Sequence, residues 1–338
     1  MNWEEVRSEA RRKLGKLCVV CPVCNGVACA GQMPGMGGLG TGASFKNNVA
    51  ALAAYRLNMR TLHEVAEPDL RVRLFGRELA LPVLGAAIAG ANLNLNGALS
   101  EEELAWAMLA GARAAGSLAM VGDGPDPAVW RAGLAALARA EGQGIAIAKP
   151  RPLADVVALA RQAADQGAVA FGVDVDAAGI LMMRRAGQPV GPKPPAELRQ
   201  LVTALPLPLI LKGIMTADEA EVAAEAGAAG IVVSNHGGRS LDHLPGTAEV
   251  LPEIAATVKG RLIILADGGV RAGVDVLKML ALGADAVLVG RPLAIAAVGG
   301  GAEGVALAFS RLADELRTAM VLTACPSPAA ASPSLLRI

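Results

Sequence analysis

Short apolar runs rich in Val, Ile and Leu recur along the chain, separated by longer Ala/Leu/Glu/Arg stretches with helical spacing. The runs are LPVLGAAI from Leu81, SLAMV from Ser117, GIAIA from Gly144, VAFGVDV from Val169, PLILK from Pro208, GIVVS from Gly230, LIILAD from Leu262 and AVLVG from Ala286. Each has the length and β-branched content of a strand, and the alternation with helical segments is that of repeated βα units around a parallel sheet. Eight strands with helical crossovers predict a closed (β/α)8 barrel rather than an open doubly wound sheet. The intervening segments SEEELAWAMLAGARAAG, PLADVVALARQAADQG, TADEAEVAAEAGAAG and RAGVDVLKMLALGA read as helices. Ser100 and Thr216 stand where N-caps belong, with Glu103 and Glu219 three residues on, and glycine follows the last turns.

Two stretches break this rhythm. One is residues 1–70, which contain CVVCPVCNGVACAGQMPGMGGLGTG; the other is RAGQPVGPKPPAE after the fourth strand, a candidate lid over the catalytic face. The expected organisation is an extension over 1–70, a barrel over 71–325 and a tail over 326–338. A length of 338 residues suits one barrel, and 53% hydrophobic with 2% aromatic residues means a core of aliphatic side chains, as barrel interiors favour.

Charge narrows the partners. The 31 basic and 31 acidic residues cancel without long single-sign runs, so nothing draws the chain to nucleic acid or an anionic membrane, and a small molecule is the expected partner. A mean hydropathy of +0.44 raises the question of a membrane span. The uncharged stretch Leu79–Ser100 is broken by Pro82, Asn92, Asn94 and Asn96, which argues against one. The start, MNWEEVRSEARRKLGK, is charged where a signal peptide needs an apolar segment, so a cytoplasmic location with reduced cysteines is expected.

Barrel chemistry sits at the C-terminal ends of strands. The sixth strand ends in SNHGGRSLD, where His236 can act as a base near neutral pH and Arg239 can hold a carboxylate. Lys212 ends the fifth strand, where a cation can stabilise negative charge on a cofactor. Asp267 opens DGGVR after the seventh, with Gly268 and Gly269 before a helix, and Gly290 and Arg291 close the eighth. Glycines and helix N-termini after the last two strands form the phosphate site common in barrels.

The runs LILKGIMTADEAEVAAEAGAAGIVVSNHGGRSLD and LADGGVRAGVDVLKMLALGADAVLVGRP resemble the FMN-dependent 2-hydroxy acid oxidase and dehydrogenase family, which includes glycolate oxidase, lactate oxidase and flavocytochrome b2. The family signature is S-N-H-G-x-R-Q-L-D, and this chain departs from it by Ser240. The strong resemblance covers about residues 205–325, and a weaker one reaches back to Leu74. It implies FMN-dependent oxidation of an L-2-hydroxy acid to a 2-oxo acid, with dioxygen or another acceptor taking the electrons, in a homo-oligomer, commonly a tetramer. It further implies Lys212 beside the flavin, Ser234 and Gly237 in contact with it, and Gly268, Gly269, Arg271, Gly290 and Arg291 around the phosphate, supported by Asp267. His236 would be the base, Arg239 the carboxylate clamp, and Asp174 in GVDVD the partner of His236.

The amino-terminal half departs from that pattern. Tyrosines that family members carry before the first helix and after the third strand are replaced by GMGGLGTGAS and GIAIAKPRP; the sole tyrosine, Tyr55, reads as structural. Lys149 is a candidate substitute, against the ordinary expectation of an exposed lysine, and Arg184 or Arg185 are weaker ones. Cys18, Cys21, Cys24 and Cys29 give C-x2-C-x2-C-x4-C, close to spacings that bind an iron–sulfur cluster or zinc, with reduced free thiols as the alternative. An FMN-dependent isomerase of the isopentenyl diphosphate type and a flavin-binding barrel that has lost catalysis are the competing functions; neither accounts for the His236–Arg239 pair.

Overall fold

The computed structural model describes residues 1–337. All eight apolar runs form strands of one closed parallel barrel. These are β1 (Val83–Ile88), β2 (Ala119–Val121), β3 (Ile145–Ala148), β4 (Ala170–Asp174), β5 (Leu209–Ile214), β6 (Gly230–Val233), β7 (Ile263–Ala266) and β8 (Ala286–Val289). Each pairs with its sequence neighbour, and β8 closes on β1. The inside is filled by aliphatic side chains, among them Leu84, Met120, Ile147, Ile210, Val232, Leu265 and Leu288. Full burial of such a side chain contributes roughly 1.5–3 kcal/mol, so the barrel needs no rings at its centre.

A hairpin of Val72–Leu74 with Arg77–Leu79 plugs the N-terminal end: Leu74 and Leu79 join the interior cluster, and the Phe75 ring lies against Gly230 where β6 begins. Of the two expected caps, Ser100 is realised as a capping box, its Oγ accepting from Glu103 N and its N–H donating to the Glu103 carboxylate. Thr216 makes no cap bond with its side chain, although the helix still begins at Ala217.

The first 70 residues wrap the barrel. Helix Trp3–Leu14 buries Val6, Ala10 and Leu14 against the last helix, Arg291–Val321. The approach is close enough that a Cβ on Gly299 would lie 2.0 Å from the Val6 carbonyl oxygen. Arg56–Leu57 pairs antiparallel with Leu336–Arg337, tying the extension to the tail. Leu79–Ser100, the uncharged stretch, becomes β1 and a short helix, Ala91–Asn94. Helix Arg291–Val321 is long and apolar enough to cross a membrane, but most of its apolar window is buried and it kinks at Gly301.

Candidate active site

Register builds the site. β4 and β5 pair Asp174 with Lys212, so both side chains leave the barrel at the same level. Lys212 Nζ donates to Asp174 Oδ1 at 2.8 Å, and Lys149, just past β3, donates to Asp174 Oδ2 at 2.5 Å. The Lys149 side chain is 12% exposed, so the expectation of a solvated lysine is wrong: the mouth turns it inward to a buried carboxylate. Burial alone would raise Asp174, but His236 and the two lysines outweigh it and hold the carboxyl well below its usual range. For Lys212, burial is likewise overcome by Asp174, Asp176 and Asp267, and the ammonium stays charged.

His236 lies three residues past β6 in a left-handed conformation, φ 59°, followed by Gly237 and Gly238 at 62° and 79°. Such a conformation costs a non-glycine residue about 1–3 kcal/mol and persists only where surroundings enforce it. Here Ser234 Oγ accepts from His236 N at 3.0 Å and donates to Asp267 Oδ2 at 2.8 Å, while Asn235 is locked side chain to side chain with Asn48. A Cβ on Gly238 would sit 2.4 Å from Phe45 N, so only glycine allows the loop to pack there.

The short bond of His236 goes to Asp176, Nδ1 to Oδ1 at 2.8 Å; Asp174 lies 3.4 Å away. The resemblance assigned that role to Asp174. The structure shares it: Asp176 makes the short bond, while Asp174, its oxygens also held by Lys212 and Lys149, stays within 3.4 Å and leads in raising the imidazole. Asp176 lies just past β4, in the single 3-10 turn Val175–Ala177, so the second acid of GVDVD, standing at a strand's C-terminal end where barrel chemistry sits, is the signal that could have found it. Gly213 makes room for it: a Cβ there would come 2.5 Å from that of Asp176. With Nδ1–H donated to Asp176, Nε2 is left as the acceptor. Burial pushes His236 down, but Asp174 and Asp176 more than reverse this and raise it above 6.5.

Three arginines converge on the same mouth. Arg239 donates to the carbonyls of Gly35 (2.6 Å) and Gly37 (3.0 Å) and to Asn94 Oδ1 (2.9 Å). Arg291 donates to Met36 O (2.7 Å), Gly37 O (3.1 Å) and Gly237 O (3.0 Å), its guanidinium 3.7 Å from the Phe45 ring centre. Arg271 reaches Cys24 O at 3.1 Å, and its Nη2 is buried with no partner. Their hydrogen-bond partners are carbonyls and one amide, with no carboxylate. Burial, and then repulsion from Arg271 and Arg239, pushes Arg291 down to about 9. Crowded, buried guanidiniums without an acid form a site for an anion. Asp267, Gly268 and Gly269 precede helix Gly273–Ala281, and Gly290 precedes helix Arg291–Val321, so a helix N-terminus follows each of the last two strands. Burial raises Asp267 against the pull of Lys212 and Ser234.

The amino-terminal loop that caps this mouth was not legible in the sequence. Gly35, Met36, Gly37 and Asn94 meet arginines some 145 to 255 residues away. Arg184 and Arg185 are exposed on the short helix Leu181–Arg185 and take no part. The turn-rich segment after it leans on the loop past β3: Lys193 donates to Arg151 O, and Arg151 to Gln188 Oε1. Tyr55 is half-buried against the core, away from this chemistry. The four cysteines line a cavity beside Arg291, and no three of their sulfurs come within 4.8 Å of one another.

Comparison with known proteins agrees with this geometry. A family described as FMN-dependent dehydrogenase matches residues 35–188 and 184–338. Glycolate oxidase 3 of Oryza sativa subsp. indica is 47% identical over 131 residues, 39% of this chain and 36% of that protein. An L-lactate oxidase of Lactobacillus jensenii is 46% identical over 144 residues, 43% of this chain and 35% of that protein. The matched segment thus spans about a third of the length of these relatives. A solved structure of a mandelate oxidase variant with 2-hydroxy-phenylacetamide superposes with a TM-score of 0.79 at 32% identity, covering 99% of this chain and 97% of that one. With the barrel, the histidine beside its two acids and the arginines free of carboxylates all in place, the chain belongs to the FMN-dependent dehydrogenase family.

Proposed function

We propose that the protein oxidises an L-2-hydroxy acid to the 2-oxo acid with bound FMN. The observation that carries this is His236, held by Asp176, in the same loop after β6 as Arg239, a largely buried guanidinium with no carboxylate of its own. The residues fit the cofactor: the orphaned Arg271 Nη2 and the depressed Arg291 call for an anion such as the FMN phosphate, flanked by Gly268, Gly269 and Gly290. Ser234 joins His236 to Asp267, and Lys212 joins the acid beside the imidazole, where both can contact the flavin. Bound FMN supplies the two-electron acceptor for the hydrogen on the substrate Cα.

The protein's own work is then to bind, orient and move a proton. Arg239 takes the substrate carboxylate in place of loop carbonyls, a charge-assisted exchange that favours the anion. His236 Nε2 accepts the hydroxyl proton, and the imidazolium is stabilised by Asp176 and Asp174. Lys212 and Lys149 keep Asp174 ionised, so the negative charge needed by the protonated base is permanent. The isomerase reading leaves this base and its carboxylate clamp without work.

Anaerobic mixing with glycolate, lactate and mandelate tests the proposal: at least one should bleach the flavin, and failure of a broad 2-hydroxy acid panel to do so would sink it. Peroxide released in air would identify dioxygen as the acceptor; dye-linked turnover without peroxide would identify a dehydrogenase.

A further inference from the structure

The four amino-terminal cysteines have no part in the chemistry above. Cys18, Cys21, Cys24 and Cys29 are half-buried, unbridged, and gathered around one cavity of about 250 Å³. The fifth, Cys325, is buried elsewhere, its thiol against Ser327 O. The loop bearing the four is held from outside. Arg7 donates to Val20 O and Cys21 O, Arg11 to Val19 O and Val20 O, and Arg271 to Cys24 O. Gly26, at φ 81°, lets the loop run against the Phe45 ring, where a Cβ would lie 2.7 Å from Cγ.

Size and charge distinguish what this cavity can take. A tetrahedral zinc site holds sulfur about 2.3 Å from the metal, which sets the ligand sulfurs about 3.8 Å apart. No three of these thiols approach within 4.8 Å of one another, so they do not describe a mononuclear site. A cavity of about 250 Å³ is far above the roughly 10–15 Å³ that one water needs, room for a polyatomic body rather than one ion. In a cubane iron–sulfur cluster each thiolate binds a different iron, so the ligands stand apart around the cluster. The wall contains Lys16 and Arg291 and no Asp or Glu, which suits a thiolate-ligated cluster of net negative charge. We propose that Cys18, Cys21, Cys24 and Cys29 ligate a [4Fe–4S] cluster in the loop that caps the barrel mouth. Arg291 then forms a wall shared by the cluster and the anion site.

The test uses the full chain, purified without oxygen and incubated with ferrous iron and sulfide, with iron, labile sulfide, zinc and flavin measured per chain. The expected result is about four irons and about four labile sulfides per chain, together with a paramagnetic signal on reduction. Cys21→Ser and Cys24→Ser should lose both iron and sulfide while retaining bound flavin. Zinc, iron without sulfide, two irons with two sulfides, disulfides among the four cysteines, or no metal at all would each overturn the assignment. The counts on the unaltered chain decide even if the serine variants fail to fold. Because flavin is measured separately, a chain that carries the cluster but no FMN counts against the FMN reading and not against this one.

Discussion

Asp174 and Asp176 divide between them what one carboxylate would otherwise do. Asp174 is the buried counter-ion of two lysines, and Asp176 is the direct partner of the base. Their removal should therefore have different consequences. Asp174→Asn leaves Lys149 and Lys212 facing a neutral group, and breaking a buried pair costs about 3–5 kcal/mol, measurable as a lower denaturation midpoint. Asp176→Asn should act on titration. His236 must be neutral to accept a proton, and its partners raise it above 6.5, so kcat/KM should climb with pH through a value above 6.5. Losing one negative neighbour lowers that value, and the rising limb should move to lower pH; an unchanged limb would remove Asp176 from this role. The same shift means that the stabilisation His236 gives the fold is complete below its unfolded value and is lost as pH rises through the folded one. His236→Ala should slow flavin reduction by about 10²–10⁴-fold while FMN content stays unchanged. Loss of FMN with activity would instead mark His236 as a cofactor-binding residue.

Elements place these residues and then stop helping. Lys212 and Asp174 meet because β4 and β5 are in register, and His236 reaches them because three successive left-handed residues turn the chain after β6. Both follow from local patterns: apolar runs that end in a polar residue, and a glycine pair after the histidine. Caps are less uniform than their sequences. Ser100→Ala should lower stability by about 1 kcal/mol, since its capping box is formed, whereas Thr216→Ala should stay within about 0.5 kcal/mol, since Thr216 makes no cap bond. Equal losses from the two substitutions would show that both helices are capped alike.

The whole molecule closes on itself through its extension. Helix Trp3–Leu14 lies on Arg291–Val321, and Arg56–Leu57 pairs with Leu336–Arg337, so the capping loop between them is anchored at both ends. Gly299→Ala should drive a methyl into the Val6 carbonyl and cost about 1–3 kcal/mol, read as a drop in denaturation midpoint; no drop would mean the amino-terminal helix is not docked there. FMN should stabilise the fold by mass action. Stripping it should lower the midpoint, and restoring it at a hundredfold excess over Kd should return about 2.7 kcal/mol. A midpoint indifferent to FMN would argue against the arginine cluster as its site.

The sequence by itself determined the barrel and half of the mouth. Its eight strands are short-range apolar patterns, with Lys212 among the last three residues of β5 and His236, Arg239, Asp267 and Arg291 within six residues after β6, β7 and β8, at the strand ends where barrel chemistry is found. Only the tertiary structure decided the rest, because those contacts join residues with no local relation. Nothing in GVDVD says which acid makes the short bond to the histidine and which is also held by Lys149 and Lys212. Nothing in CVVCPVCNGVACAGQMPGMGG says that its carbonyls will meet Arg239, Arg271 and Arg291, since that depends on two hundred or more intervening residues folding first. Periodicity reports which face of an element is buried; it is silent on which distant segment buries it.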